Sequence, residues 1–248
     1  MGIYQHLLKI IEEKGAIFYL LIDPDDLKIE KLPELLNYVN EAGVDALLIG
    51  GSLLINSQMD NFCKEIKKYT KIPLIIFPGS IDQVSSEADA ILFLSLISGR
   101  NAEHLIGKHV LAAPIIKVKK LEPISTGYMI IESGKVTTAE YMSGSKPIPS
   151  DKPLIAAATA LAGEYLGMKF IYLEAGSGAL NTVPDEMVKL VTSTVNIPVI
   201  VGGGIRTPEV ARNKVLNGAK AIVIGNHFEN PENWPQIKEF AKAIHFKS

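Results

Sequence analysis

The sequence predicts a (β/α)8 barrel, and three observations carry that expectation. The chain has 248 residues, against about 250 for one complete barrel of this kind. Short, apolar, β-branched runs alternate with segments of helical periodicity, the pattern of parallel strands buried on both faces. Glycines stand directly after several of these runs, above all in Pro198-Val-Ile-Val201-Gly-Gly-Gly204 and Ala221-Ile-Val-Ile224-Gly-Asn226. Glycine at a strand end lets backbone N–H groups converge on an anion without a Cβ in the way. In barrels of this class the loops after strands 7 and 8 are a frequent phosphate site. The alternative is a pair of tight turns with no ligand.

Taken in order, the elements fit eight strands. Residues 1–14 read as an amphipathic opening helix, because acids interrupt the apolar pattern a signal peptide would need. Strand 1 spans 17–22 and ends at Asp23-Pro-Asp-Asp26. The next helix carries Leu32, Leu35, Leu36 and Val39 on one face and stops at Gly43. Strand 2, 46–49, runs into Gly50-Gly-Ser52. A helix with the stripe Met59, Phe62, Cys63, Ile66 and Tyr69 follows, and Pro73 leads into strand 3 at 74–77. Strand 4, at 90–94, arrives early. Residues 79–87 leave room for roughly two helical turns, so the third barrel helix is expected to be short or missing.

A helix is expected at 102–106. Two later runs, 113–118 and 126–131, both look like strands, one being the fifth barrel strand and the other its extension or part of a hairpin. The polar, Gly-, Ser- and Pro-bearing stretch 133–152 is too long for an ordinary connection and reads as a lid or binding loop. Regularity then returns with a helix at 153–166, strand 6 at 170–173 and a helix from near Pro184. The last crossover is capped by Thr207, has Pro208 in its first turn and ends at Gly218. Ile237, Phe240, Ala241 and Ile244 mark a final helix over 236–245. No linker or composition break interrupts 1–248, which reads as one domain.

Composition excludes several classes. Apolar residues make up 47% of the chain, yet no run approaches the length of a membrane span. A net charge of −2 with no long basic run argues against nucleic acid as the main partner. The single cysteine, Cys63, lies on an apolar stripe and reads as core in a reducing cytoplasm.

Residues at the carboxyl ends of barrel strands face the active site. Here those ends supply Asp23, Asp25, Ser52, Glu174, Ser177, Gly178, Gly203, Gly204, Gly225 and Asn226. Asp23 suits a magnesium ligand or a general base, or an Asx turn with Pro24. Ser52 offers a hydroxyl to metal or phosphate, or caps the helix after it. Glu174, directly after an apolar strand, is costly to bury without a partner and is better explained by function. Tyr172, two residues earlier, shares its side of the strand.

At these residues the chain resembles the geranylgeranylglyceryl phosphate synthases and their heptaprenyl relatives. The matching stretches are Leu21-Ile-Asp-Pro-Asp25, Ile49-Gly-Gly-Ser52, Tyr172-Leu-Glu-Ala-Gly-Ser-Gly178, Val201-Gly-Gly-Gly-Ile-Arg206 and Gly225-Asn226 followed by Phe228-Glu229. The Leu-Ile-Asp-Pro opening looks like the branch found in many archaea and some bacteria. Asp26 departs from the family pattern, which has Lys there, so a basic contact to diphosphate would have to come from Lys28.

The resemblance implies a prenyltransferase that joins sn-glycerol 1-phosphate to a polyprenyl diphosphate, forming an ether and releasing diphosphate. It implies a substrate site in the run Tyr172, Leu173, Glu174, Ala175, Gly176, Ser177 and Gly178. Gly203, Gly204, Gly225 and Asn226 complete it, with phosphate on the backbone amides. It also implies magnesium on Asp23 and Ser52, Glu174 orienting or deprotonating the attacking hydroxyl, and Tyr172 positioning the glycerol. The prenyl tail, twenty carbons on family grounds, would use an apolar groove where the third helix is short, beside strands 3 and 4. A homodimer or larger homo-oligomer is expected. Two other readings stay open. One is a sugar-phosphate isomerase or lyase using Asp23 and Glu174 as an acid–base pair without metal, and the other is a non-catalytic phosphate-binding barrel.

Overall fold

The computed structural model describes residues 1–51, 53–55 and 59–246. Strands β1 (Ile17–Ile22), β2 (Ala46–Ile49), β3 (Leu74–Ile76), β4 (Ala90–Leu96), β5 (Glu122–Ile130), β6 (Phe170–Glu174), β7 (Val199–Gly202) and β8 (Ala221–Ile224) form a closed barrel. Each pairs in parallel with the next, and β8 returns to β1 through Ile17 opposite Ala221.

Strand periodicity of two divides the apolar residues between two cores. Inward-facing residues, among them Tyr19, Leu48, Ile75, Leu92, Phe170, Tyr172 and Val223, fill the barrel. Leu7 and Ile10 of α1 (Ile3–Lys14) join them. The alternate residues, such as Phe18, Leu47, Leu173, Val201 and Ile222, pack outward against the helices. Those helices include α2 (Leu32–Ala42), α3 (Met59–Lys67), α4 (Lys108–Val118), α5 (Thr138–Ser143) and α6 (Pro153–Tyr165). After β6 come α7 (Asp185–Thr194), α8 (Pro208–Leu216) and α9 (Ile237–Ile244). Thr207 caps α8 through a bond from Val210 N–H, as its sequence suggested. No helix among the described residues is long and apolar enough to cross a membrane.

The chain ends are joined at the foot of the barrel. Buried Asp45 accepts hydrogen bonds from Lys14 Nζ at 2.6 Å, Phe18 N–H at 2.8 Å and His245 Nε2 at 2.7 Å. Burial pushes the Asp45 carboxyl up, but these donors outweigh it and hold it below its ordinary value.

Between β3 and β4 the usual helix is reduced to one 3-10 turn, Ile81–Gln83, as the spacing predicted. Cys63 is fully buried on α3 beside Phe62 and Ile66, whereas Tyr69 lies beyond the helix and is largely exposed. One reading of the middle of the chain is corrected. Residues 113–118 are not a strand but the second half of α4, which follows a π-helical turn at Glu103–Gly107. The two parallel neighbours β4 and β5 require a crossover of a dozen or so residues between them, and a helix supplies it. The β-branched residues that mimicked a strand, Ile115 and Val118, are exposed on that helix, while Ile116 is buried. The 133–152 stretch contains α5, capped by Thr137 through a bond from Glu140 N–H.

Candidate active site

The inward row of β6 explains the site. Phe170 and Tyr172 belong to the barrel interior, and Glu174 is the next residue in the same row at the carboxyl end of the strand. It is 6% exposed. One carboxylate oxygen, Oε1, accepts the Gly176 N–H at 2.6 Å. The other, Oε2, and the Tyr172 hydroxyl, which makes no hydrogen bond with a described residue, both crowd the place a Cβ would take at Gly202 on the neighbouring strand. A Cβ there would stand 2.5 Å from Tyr172 Oη and 3.1 Å from Glu174 Oε2. Glycine at 202 is what lets the tyrosine–carboxylate pair exist. Burial raises the Glu174 pKa, and the Tyr172 hydroxyl and Gly176 N–H oppose that rise. Glu174 is therefore a more basic carboxylate than one in water.

Around it opens a cavity of about 520 Å³ lined by the ends of β1, β2 and β6–β8. Asp23, Tyr172, Glu174, Ser177, Gly178, Gly203, Gly204, Gly225 and Asn226 all face it. The sequence had placed each of them in the site. Leu173 and Ala175 point the other way, into the core between sheet and helices, because alternate strand residues face opposite sides. Their side chains are not part of the cavity. Gly176 is engaged within the protein. Its N–H bonds to Glu174 and it is covered by Thr137, so its amide is not among the donors open to a phosphate.

The rim formed by the β6 and β8 loops is tied together by Asn226. Its Oδ1 accepts from the Ser177 hydroxyl at 2.8 Å and from Gly178 N–H at 2.7 Å, and its amide donates to Glu229. Two donors thus converge on one oxygen, the arrangement a phosphate oxygen would use. Gly203 and Gly204, both with φ in the left-handed region at 85° and 71°, turn the chain so that the end of β7 opens toward the same space.

The adjoining wall, at the end of β1, is acidic. Asp23 Oδ1 accepts Asp25 N–H at 3.0 Å, so the turn read from Asp-Pro is present, while Oδ2 lies against the Cα of Gly51. Asp25 accepts Ile55 N–H at 2.6 Å. Desolvation, with the nearby Asp26 and Asp25 carboxylates, pushes Asp23 up to about 6, against the lowering effect of its bond from Asp25 N–H. Glu229 is raised as well, by burial and by Asp26 and Asp23. Ser52, expected to share a metal with Asp23, lies outside the described residues. Among the described residues no group of three or more His, Cys, Asp and Glu forms a ready metal cage. One carboxylate on an open wall does suit magnesium, which commonly takes one or two carboxylates and completes its shell with water and substrate phosphates.

A second cavity, about 410 Å³, lies beside β3–β5 where the third helix is reduced. Its walls include Leu54, Phe77, Ile91, Phe93, Leu94 and Leu96, with Ala112 and Ile116 of α4 and Met142 of α5. Gly51, Leu53, Phe77, Tyr128 and Ala139 line both cavities, so the two are adjoining. At the junction Phe77 stacks on Tyr172 (5.6 Å between ring centres), and Tyr128 meets both edge-on.

Sequence reasoning did not single out Phe77 or Tyr128. The signal was available, since each continues an inward row, after Ile75 and after Ile124 and Thr126. His227, Glu229 and Asn233 also line the polar cavity. They come from the turns after β8, which carry no periodic pattern.

Fold and site together define a (β/α)8 barrel with a polar cavity at the carboxyl ends of its strands and an adjoining, mostly apolar channel. The comparisons with known proteins narrow this: the PcrB family model matches residues 8–244, and the chain belongs to that family. The geranylgeranylglyceryl phosphate synthase of Chitinophaga pinensis is 48% identical, over 92% of this chain and 90% of that protein. The enzyme of the same name from Pyrococcus horikoshii is 42% identical, over 94% and 91%. Among solved structures, the (S)-3-O-geranylgeranylglyceryl phosphate synthase of Thermoplasma acidophilum, in complex with its substrate sn-glycerol-1-phosphate, matches with a TM-score of 0.93 and 34% identity, covering 99% of both chains. The tryptophan synthase alpha chain of Legionella pneumophila, at 13% identity and a TM-score of 0.63, shares the fold alone.

Proposed function

We propose that this protein transfers a polyprenyl group, geranylgeranyl on family grounds, from its diphosphate to a hydroxyl of sn-glycerol 1-phosphate, a step of ether-lipid synthesis. The observation that carries the reading is the union of two unlike cavities. A phosphate grip rims one, hydrocarbon walls form the other, and they meet beside Glu174 and the Phe77–Tyr128–Tyr172 rings. An isomerase or lyase acting on a small sugar phosphate has no use for the apolar half. A purely phosphate-binding protein has no use for a buried carboxylate.

In this reading the glycerol phosphate lies over Gly178, Gly203, Gly204, Gly225 and the Ser177–Asn226 pair. Its phosphate competes with the Asn226 carbonyl for the Ser177 and Gly178 donors. The hydroxyl of the glycerol points to Glu174, which aligns it and takes its proton as the new C–O bond forms. The Tyr172 hydroxyl, buried beside Glu174 without a hydrogen-bond partner of its own among the described residues, is free to meet the glycerol. On the other side of the reacting carbon the C–O bond to diphosphate breaks, and both of its electrons leave with the diphosphate. Asp23, with Ser52, would hold magnesium, which supplies neutralising charge for that leaving group. The tail extends past Phe77 and Tyr128 between β3–β5 and α4. The enzyme would act in the cytoplasm and as a homodimer or larger assembly, in keeping with its family resemblance.

The test is an assay with sn-glycerol 1-phosphate, geranylgeranyl diphosphate and magnesium. The expected products are geranylgeranylglyceryl phosphate and diphosphate. No ether product with either twenty-carbon or longer prenyl diphosphates would reject the reading, as would conversion of a sugar phosphate without magnesium.

A further inference from the structure

The polar cavity has a charge problem. Asp23, Asp25, Asp26, Glu174 and Glu229 line it, and the two substrates proposed for it are both phosphate anions. Arg206 also lines it; its Nη2 donates to the Ala179 carbonyl at 2.7 Å, which braces the β6 loop and leaves the charge and the remaining donors in place. A metal on the Asp23 wall answers for the diphosphate. The glycerol phosphate adds a second anion to a cavity where five carboxylates face the single guanidinium of Arg206, and a further cation would balance it.

The stretch between β5 and α5 brings one there. It is built onto the phosphate loop. Asn181 N–H donates to the Ser133 carbonyl at 3.1 Å, and the Thr137 side chain packs against Gly176. Between these two anchors stands Lys135. Its Nζ lies 3.4 Å from the position a Cβ at Gly178 would take, directly at the loop whose Ser177 and Gly178 donors converge on Asn226. Lys135 makes no hydrogen bond or ion pair with another described residue. A long, exposed ammonium on a segment fixed at both sides, by a backbone bond at Ser133 and a side-chain contact at Thr137, and given no carboxylate among the described residues, is matched to an arriving anion.

We propose that Lys135 binds the phosphate of the glycerol phosphate substrate, completing a grip otherwise made of backbone amides and the Ser177 hydroxyl. The assignment rests on the functional reading above and deepens it. A second consequence follows from position. Thr138 and Ala139, immediately downstream, line the polar cavity, and Met142 and Ser143 on the same short helix line the apolar groove. A phosphate held by Lys135 therefore steadies the segment that walls the tail site.

The experiment measures sn-glycerol 1-phosphate binding by calorimetry at two salt concentrations, for the wild type, Lys135→Met and Lys135→Arg. Melting temperature and both Michaelis constants are read on the same preparations. Lys135→Met is expected to weaken glycerol 1-phosphate about tenfold, as loss of one exposed charge-assisted contact would. Its binding should also become less salt-dependent, while Lys135→Arg recovers most of the affinity. The melting temperature and the constant for prenyl diphosphate should stay near wild type. Unchanged glycerol 1-phosphate affinity in a folded Lys135→Met protein overturns the role of the lysine and leaves the function standing. Equal losses for both substrates overturn it too. A wild-type protein that binds no glycerol 1-phosphate overturns both readings.

Discussion

The two halves of the active site are built by opposite means. The phosphate half is made of added features. Its glycines free backbone donors at the ends of β7 and β8, Asn226 cross-links the β6 and β8 loops, and a carboxylate sits at the top of an inward strand row. The tail half is made by subtraction. One helix of the barrel shrinks to the turn Ile81–Gln83, and the exposed flank of β3–β5 becomes a groove closed by α4 and α5. The polar half works by direction, since N–H groups and carboxylates act only where they point. The apolar half works by area, at roughly 0.8 kcal/mol for each CH₂ removed from water. Point changes should therefore be severe in the first half and graded in the second.

The largest effect should come from Glu174. Glutamine keeps the shape and the bond from Gly176 N–H but cannot take a proton. Glu174→Gln is expected to lower kcat by roughly 10²–10⁴-fold with prenyl diphosphate affinity nearly unchanged. Single-turnover rate, ligand affinity and melting temperature on one preparation check this. A normal chemical step in a folded, substrate-binding variant would remove Glu174 from the chemistry and blur the contrast between the halves.

A smaller effect concerns Asp23, at the end of β1 beside the β8 loop. Its carboxyl is raised to about 6 in the metal-free protein, chiefly by desolvation. The ionised form that binds a hard cation is thus present above that pH and lost as pH falls through it. Magnesium affinity should drop roughly tenfold for each unit below about pH 6. The linkage to stability has the opposite sense. Folding favours the protonated acid, so without metal this group's contribution is greatest at low pH and is lost as pH rises toward 6 and beyond. Asp23→Asn should raise the melting temperature of the magnesium-free protein at about pH 8 while lowering turnover. Magnesium titrations of activity at several pH values, with melting curves for both proteins, test it. A flat magnesium affinity between about pH 5 and 8 would mean that Asp23 serves only its turn.

What was legible in the sequence follows the same division. Strand ends, and the glycines after them, could be read because a barrel fixes which residues of a short apolar strand reach its rim. The groove could be read as a gap in spacing between β3 and β4. Residues 113–118 misled because β-branched side chains signal a buried strand, and here Ile115 and Val118 stay exposed on a helix that the crossover demands. Leu173, Ala175 and Gly176 were carried into the site with their motif. Strand alternation could have removed the first two, but only coordinates show the Gly176 amide spent on Glu174. Lys135 lies in a polar stretch without periodicity, and nothing local marks it. Its meaning comes from Gly178, forty-three positions on in the numbering and adjacent in space.

The central claim is that each half serves one substrate and that they meet only at the reacting atoms. Ala112 lines the groove on α4, and Gly204 turns the phosphate loop with a left-handed φ of 71°. The measurement is kcat/KM and both Michaelis constants for the wild type, Ala112→Trp, Gly204→Ala and the double variant. Ala112→Trp should penalise geranylgeranyl diphosphate far more than a shorter prenyl diphosphate and leave the glycerol phosphate constant alone. Gly204→Ala should do the converse, raising the glycerol phosphate constant about tenfold. In the double variant the two factors should multiply, as independent sites do. If either single change moves both substrates' constants alike, or the factors fail to multiply in folded proteins, the division of the site into two halves is wrong.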